Sequence, residues 1–495
     1  MKISIIGVGY VGLVSGVCFA EKGHDVVCVD LDQAKVDRIN GGESPIHETG
    51  IEDLLRRNLK HRFRATTDLR EAVLDSELSI IAVGTPFDGD EIDLRFIRDV
   101  ATQIGEVLKD KPTYHVVIVK STVVPGTTDE VVIPLVEEAS GKAVGADFGA
   151  GMNPEFLREG EAVHDFLFPD RIVLGAHDDR TLGMLERLYQ PFVGVNMLRT
   201  SPRTAETIKY AANSLLATMI SFSNEIGNLC SAIGNVDVVD VMRGVHLDKR
   251  FSPFLANGER LRPGFTTYLE AGCGFGGSCF PKDVHALISY AKKAGTPMHV
   301  LKAVMDVNAA QPSKVLDLIA KHFPVLDGVR ISVLGLAFKP GTDDVRESPA
   351  IPIVKQLIAR NALVKAFDPI AQHEAAKILG EGSLTFAATL ADAIEDAEVV
   401  VILTRWPEFH ELPRLFSTLA SQPLLVDGRR MLEKDSVSRY EGIGLSSSEP
   451  EVLVTHKGNF SESAFGRLLM MFGSFRIRDC LEGLEMSADL VPLIV

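Results

Sequence analysis

The first thirty residues constrain the fold more than any other part of the chain. An apolar run, Ile3-Ser4-Ile5-Ile6, leads into Gly7-Val8-Gly9-Tyr10-Val11-Gly12, and Asp30 closes a second apolar run, Val26-Val27-Cys28-Val29. Strand, tight glycine turn, helix, strand and acid in this order form a dinucleotide-binding fingerprint. The glycines let a pyrophosphate come close to a helix N-terminus, and the acid is placed for a ribose 2′-hydroxyl. A 2′-phosphate would meet that acid, so NAD is expected in preference to NADP. The competing reading is a structural glycine turn, and strand, helix and acid together favour the cofactor.

The same rhythm continues downstream. Strands are expected at 78–83 and 115–119, alternating with helical stretches near 93–109 and 127–139, as in a parallel doubly wound sheet. Both strands end in polar turns, Thr85-Pro86 and Ser121-Thr122, where such sheets hold ligands; helix capping is the alternative. Asn153-Pro154-Glu155-Phe156-Leu157-Arg158-Glu159-Gly160 places two glutamates four apart, a spacing that one helical face could carry. From about 202 to 234 a long, largely apolar helix is expected, with Lys209 and Asn213 one turn apart on one face. A lysine there usually snorkels, yet two polar groups on an otherwise apolar helix suggest a site.

The most informative chemistry lies in Gly272-Cys273-Gly274-Phe275-Gly276-Gly277-Ser278-Cys279-Phe280-Pro281-Lys282-Asp283. A glycine-rich loop holding a thiol suggests a nucleophile presented to a substrate, and a neighbouring cation would lower the thiol's pKa. A buried structural cysteine is the alternative for Cys279, and the glycines and charges count against it. Helices at 283–295 and 298–322 complete a helical middle. A second Rossmann-like unit follows, with strands at 329–334, 363–367, 399–403 and 424–426. Its first turn, Gly335 to Arg346, lacks the glycine fingerprint and offers Lys339 and Arg346, so a phosphate-bearing ligand other than a second dinucleotide fits better.

Composition excludes other classes. A net charge of −16 argues against nucleic acid. No apolar run reaches the roughly 18 residues of a membrane span, and no secretory leader is read at the N-terminus, so a cytoplasmic protein without a membrane partner is expected. Six cysteines, at 18, 28, 230, 273, 279 and 480, show no metal spacing or disulfide framework. No metal site is expected among the histidines either.

With the glycine fingerprint, Lys120-Ser121-Thr122, the Asn153–Gly160 run, Lys209 and Asn213, the cysteine loop, the stretch Phe338-Lys339-Pro340-Gly341-Thr342-Asp343-Asp344-Val345-Arg346-Glu347-Ser348-Pro349 and Asp427-Gly428-Arg429 in order, residues 1–445 resemble the UDP-glucose/GDP-mannose dehydrogenase family. The resemblance implies an α/β fold of two Rossmann-like doubly wound domains joined by a helical dimerisation core. The divisions expected are 1–200 for NAD, 201–325 for the core and cysteine loop, 326–446 for the nucleotide sugar, and 447–495 as a tail of unassigned role. It implies four-electron oxidation of a sugar C6 alcohol to the carboxylate through a thiohemiacetal and thioester on Cys279, in a homodimer or higher homo-oligomer. Lys209 and Asn213 would stabilise an oxyanion, with Asp283, Thr122 and Glu155 serving proton transfer and hydrolysis. NAD would meet Gly7, Gly9, Tyr10, Val11, Gly12, Asp30, Lys35, Thr85, Thr122, Glu159, Lys282 and Arg346. The nucleotide sugar would meet Glu155, Phe156, Leu157, Arg158, Lys209, Asn213, Arg250, Phe275, Gly276, Phe338, Lys339 and Arg429, with Arg250 reaching a neighbouring subunit. UDP-glucose is the expected substrate, ahead of GDP-mannose and a UDP-N-acetylhexosamine. A noncatalytic NAD-binding protein would have no reason to keep Cys279, Lys209 and Asp283 together, and a two-electron hydroxyacid dehydrogenase would need no cysteine.

Overall fold

A computed structural model describes residues 1–446 apart from Lys60 and 381–383. The tail, with its apolar stretches at 468–475 and 490–495 and Cys480, lies outside the described residues. No described helix is long and apolar enough to cross a membrane.

The first sheet is built from β1 (Lys2–Ile6), β2 (Asp25–Val29), β3 (Phe63–Thr66), β4 (Leu78–Ile81), β5 (His115–Val119), β6 (Phe148–Met152), β7 (Arg171–Ala176) and β8 (Asn196–Thr200). Their order is β3-β2-β1-β4-β5-β6-β7-β8, parallel except where β6 meets β7. Helices cover both faces, so β4, β5 and β6 are buried along their whole length and read as near-continuous apolar runs. Strand order reverses between β1 and β4, which opens a crevice at the carboxyl ends of the strands. Gly7, Asp30, Thr85, Thr122 and Glu155 all lie in the turns leaving that edge.

Chain direction then turns into one helix of 32 residues, Pro202–Ile233. Ser201 starts it by accepting from the Thr204 N–H, with Pro202 at the first helical position, where a missing N–H costs nothing. One face packs on helices Phe280–Lys293 and His299–Ala320. The opposite face leaves Leu215, Phe222, Leu229 and Ile233 48–56% exposed. A two-residue strand, β9 (Val236–Asp237), follows it.

The second sheet comprises β10 (Arg330–Leu334), β11 (Leu363–Phe367), β12 (Leu384–Phe386), β13 (Val399–Ile402), β14 (Leu424–Asp427) and β15 (Tyr440–Gly442), all parallel in the order β12-β11-β10-β13-β14-β15. Its switch point lies between β10 and β13. The described chain closes with β16 (Leu445–Ser446) pairing antiparallel to β9, which fastens the end of the second sheet to the foot of the long helix.

This is the doubly wound α/β architecture expected, with two differences of detail. Asn153–Gly160 is a loop that ends in a turn at Glu159-Gly160, not helix, and its glutamates reach Lys209 and Ser278 from it. Strands β3, β6, β7 and β8 of the first sheet and β12 and β15 of the second were not legible: β3, β12 and β15 are short, and β6, Phe-Gly-Ala-Gly-Met, has two glycines and no β-branched residue.

The fastening at β9 depends on a buried ion pair. Arg430 Nη1 and Nη2 sit 2.8 and 2.9 Å from the two Asp237 oxygens, with side chains only 5% and 8% exposed. Asp237 also caps helix Val238–His246 through the Val239 N–H. Removing one partner of such a pair costs about 3–5 kcal/mol, because the other charge stays buried and uncompensated. Asp237→Ala should therefore lower the urea midpoint markedly, and adding Arg430→Met should recover much of the loss.

Candidate active site

The cysteine loop is wedged between the two sheets. Cys273 N–H donates to Gly428 O at 2.8 Å, and Gly277 N–H donates to Arg346 O at 2.9 Å. A Cβ on Gly276 would come within 2.0 Å of Glu347 O, so only glycine permits this approach. Gln311 and Asn308, on helix His299–Ala320, hold Gly272 and Phe275 from behind. The loop's backbone is thus fixed by the second sheet and the helical core together. Cys273 points into the apolar core, with Sγ 3.8 Å from Leu403 O. It serves packing.

Cys279 is half-buried at the N-cap of helix Phe280–Lys293, where the helix dipole favours a thiolate. Burial nevertheless pushes the thiol up to about 11; Lys209 pulls it down, and Glu155 and Asp283 push it up. The adjacent-cation expectation fails in its detail. Lys282 is 2.6 Å from Asp283 Oδ1, and the cation that acts on the thiol is Lys209, brought in by the long helix.

Lys209 and Asn213 share a buried face, as their spacing predicts, and neither snorkels. Lys209 Nζ donates to Glu155 Oε1 at 2.8 Å, and Asn213 Nδ2 to Asp283 Oδ2 at 2.6 Å. Burial opposes the Lys209 charge, but Glu155, Cys279 and Asp283 outweigh it and hold the ammonium above its ordinary range. Glu155, equally buried, is held below the usual carboxylate range against its own desolvation by Lys209 and the Leu157 N–H. Phe156 stacks beneath Arg171, 3.9 Å from the guanidinium carbon to the ring centre.

Two cavities meet at Cys279 and Phe280. One, about 310 Å³, is lined by Phe275, Gly276, Phe338, Lys339 and Arg429 among others. The other, about 810 Å³, is lined by Glu155, Phe156, Lys209, Asn213 and neighbours. Leu157 and Arg158 border both. Arg158 is tied to Asp165 by two hydrogen bonds of 3.0 and 2.7 Å. Arg429 spends its donors on Leu403 O and Gly274 O, so it braces the cysteine loop as well as lining the cavity. Arg250 lines neither cavity of this chain and pairs with Asp248, its side chain 81% exposed.

The first crevice suits a dinucleotide. A Cβ on Gly12 would lie 1.8 Å from Gly7 O, so helix and turn are in close contact, while above Gly9 nothing lies within 4 Å. Asp30 Oδ2 accepts from Val8 N–H at 3.0 Å and Oδ1 from Asp32 N–H, which orients the acid at the end of β2. Lys35 is in the first turn of the next helix, and Tyr10 and Val11 begin the helix after Gly9. Thr85 Oγ1 donates to Thr122 O at 2.7 Å, which joins the turns after β4 and β5 and caps no helix. The second crevice differs. There Asp368, 1% exposed, accepts from the Leu336 and Ala337 N–H groups and Trp406 Nε1 through one oxygen, and from Ile370 and Ala371 through the other. Leu336 is held by Asp368 as Val8 is held by Asp30, and Trp406 and three further amides enclose the acid in addition.

Sequence reasoning gave no role to four groups that the structure brings in. Lys120, 3% exposed, donates to Asn153 Oδ1 at 2.8 Å; burial brings it down to about 8, partly opposed by Glu155 and assisted by Lys209. Glu48 ties the first helix to the Glu159 loop by accepting from the Tyr10 hydroxyl and from the Gly160 and Ala162 N–H groups; its sequence context carries no signal. Ser278 donates to Glu159 Oε1 at 3.0 Å, and its position beside the cysteine was the available clue. Asp344 holds Arg346 at 2.7 Å, leaving that arginine 3.6 Å from Glu159.

A thiol raised to about 11 is almost wholly protonated at neutrality. Iodoacetamide should therefore alkylate Cys279 slowly at pH 7, with a rate that climbs about tenfold per pH unit past pH 9 where a free cysteine has begun to level off. Lys209→Ala should slow labelling further. Mass spectrometry of the labelled peptide provides the measurement.

Residues 1–193, 203–310 and 332–434 match in turn the NAD binding, central and UDP binding domains of the UDP-glucose/GDP-mannose dehydrogenase family. A UDP-glucose 6-dehydrogenase of Haloferax volcanii is 43% identical over 452 residues, covering 90% of this chain and 100% of the relative. One from Bacillus subtilis is 42% identical over 454 residues, covering 91% and 94%. The structure of a UDP-glucose dehydrogenase from the hyperthermophilic archaeon Pyrobaculum islandicum aligns with a TM-score of 0.81 at 39% identity, over 90% of this chain and 98% of that one. Matched from its glycine cradle to the crevice of its second sheet, the chain belongs to the UDP-glucose/GDP-mannose dehydrogenase family, with NAD as its cofactor.

Proposed function

We propose that this chain oxidises the C6 alcohol of UDP-glucose to the carboxylate of UDP-glucuronate, a four-electron reaction with Cys279 as nucleophile. The observation that carries the reading is the convergence on one thiol of a buried ammonium, Lys209, and a buried amide–carboxylate pair, Asn213 and Asp283, where two cavities meet. The names of the relatives at 42–43% identity favour glucose and uridine.

In this reading Phe338, Lys339, Phe275 and Gly276 hold the nucleotide end, with Arg429 bracing them, and Phe156, Leu157 and Arg158 border the sugar. Arg250 completes the pocket of a neighbouring subunit. NAD⁺, held by the Gly7–Gly12 cradle, Asp30, Lys35, Thr85 and Thr122, with Glu159, Lys282 and Arg346 on the far side, supplies the hydride acceptor for both oxidations. Lys209 and Asn213 donate to the oxygen on C6 as negative charge develops there. An aldehyde cannot give up a second hydride until a nucleophile has added to it, and Cys279 is the thiol in position. Water then hydrolyses the thioester, with Glu155, Thr122 and Asp283 positioning it and its proton transfer.

The oligomer is part of the proposal. Leu215, Phe222 and Leu229 recur every seventh residue on one exposed face of the long helix, which fits a helix-on-helix interface with a second copy.

An absorbance assay at the NADH band should record two NADH per UDP-glucose with NAD⁺ and little turnover with NADP⁺. Cys279→Ser should still bind both ligands while turnover to the acid falls by orders of magnitude. One NADH per sugar, or a near-normal Cys279→Ser, would rule out the thioester route; turnover of GDP-mannose in place of UDP-glucose would reassign only the substrate. Light scattering at micromolar concentration should give a dimer or higher oligomer, shifted toward monomer by Phe222→Glu, and an active wild-type monomer would refute the interface.

A further inference from the structure

Nothing described so far removes the proton from Cys279. Lys209 is a cation, and Asp283 is engaged by Asn213 and Lys282. Glu155 is engaged by Lys209 and the Leu157 N–H. On the other side of the thiol, Ser278 Oγ lies 3.6 Å from Cys279 Sγ, a normal separation for a sulfur hydrogen bond, and donates its own proton to Glu159 Oε1 at 3.0 Å. With Ser278 donating to the carboxylate, its oxygen lone pair faces the thiol, so the order Sγ–H, Oγ–H, Oε1 runs in one direction.

We propose that Ser278 and Glu159 form the proton relay that deprotonates Cys279 as it attacks the aldehyde. The inference rests on the thioester reading above and adds the base that it lacks. As the Sγ–C6 bond forms, the carbonyl π bond breaks and its electron pair moves onto the oxygen facing Lys209 and Asn213. The thiol proton passes to Ser278 Oγ, and the Ser278 proton passes to Glu159, so thiol, aldehyde, serine hydroxyl and carboxylate become a thiohemiacetal oxyanion, a regenerated serine hydroxyl and a carboxylic acid. Charge and atoms balance with no other reactant.

The surroundings of Glu159 suit a base. Its side chain is 11% exposed, and Oε2 is buried with no donor on it. Burial raises it to about 7, and the neighbouring Asp344 carboxylate adds to that. Arg346, 3.6 Å away, opposes the rise. Tyr10 and Lys339 are the other titratable groups that sense its charge. A proton moved from a thiol near 11 to this carboxyl before bond formation would leave about one thiolate in ten thousand. Transfer concerted with attack avoids that penalty, as general-base catalysis does.

The test is capture of the 6-aldehyde of the UDP-sugar by full-length protein without NAD⁺, followed by pulse labelling of Cys279 with N-ethylmaleimide at timed intervals. In wild type the capture rate should rise with pH through about 7 and level off, because Glu159 must be ionised to accept a proton. Ser278→Ala should lose that plateau, fall roughly 100-fold or more at pH 8, and regain the wild-type rate near pH 10, where hydroxide forms the thiolate directly. Ser278→Thr, which keeps the hydroxyl, should restore the profile, and Glu159→Gln should abolish the inflection. A merely structural role for Ser278 would depress the rate at every pH. A Ser278→Ala profile with the wild-type inflection and a rate within threefold overturns the relay alone, whereas a wild type that captures no aldehyde at any pH overturns the thioester reading with it.

Discussion

The contact between Lys209 and Glu155 does most to organise this molecule. It joins the loop after β6 to the long helix, and so the first sheet to the helical core, in surroundings where neither charge could be left alone. Once made, it places an ammonium beside the cysteine and leaves that ammonium fully charged. The same carboxylate also answers to Lys120, so two buried cations share one close anion. At the thiol, burial, Glu155 and Asp283 together oppose negative charge more strongly than Lys209 favours it, so the ammonium offsets part of the cost of a thiolate.

Around this centre the backbone is held by hydrogen bonds that cross between units. The cysteine loop borrows carbonyls from Gly428 and Arg346, lends its own to Gln311 and Arg429, and leaves no room for a side chain at Gly276. Its placement depends on the second sheet being docked correctly on the helical core. Burial and charge then oppose each other at Cys279 itself, and burial wins, so the thiol is protonated at neutrality.

Much of this was legible in the residues. The glycine cradle with Asp30, the polar turns after β4 and β5, the shared face of Lys209 and Asn213 and the singular setting of Cys279 follow from local spacing, because periodicity and turn chemistry are local properties. What escaped depended on long-range contacts. Glu155 and Glu159 invited a helical reading because their spacing fits one, but their partners lie 54 and 119 residues away in the chain, and the segment that reaches them is a loop. Lys282 looked like the cation for its neighbouring thiol, and its charge went to Asp283 instead. Asp368 could not be told from Asp30 by position, since both end the second strand of their sheet; only the enclosure by Trp406 and four backbone amides separates a carboxylate that holds its own turn from one placed for a ribose.

That contrast imposes an order in time. With a glycine cradle at one crevice and none at its counterpart, whose acid is buried among backbone amides, the described residues offer one berth shaped for a dinucleotide. Under the proposed reaction two carriers must occupy it in turn, and the half-oxidised sugar has to wait through the exchange. An aldehyde free in a solvent-linked cavity could hydrate or escape during that interval. A covalent bond to Cys279, on a loop pinned by the second sheet and the helical core, would make the waiting safe: the cysteine would then act as a mooring between two visits as much as a reagent, and the intermediate's lifetime would be set by carrier exchange and not by how tightly the sugar is gripped.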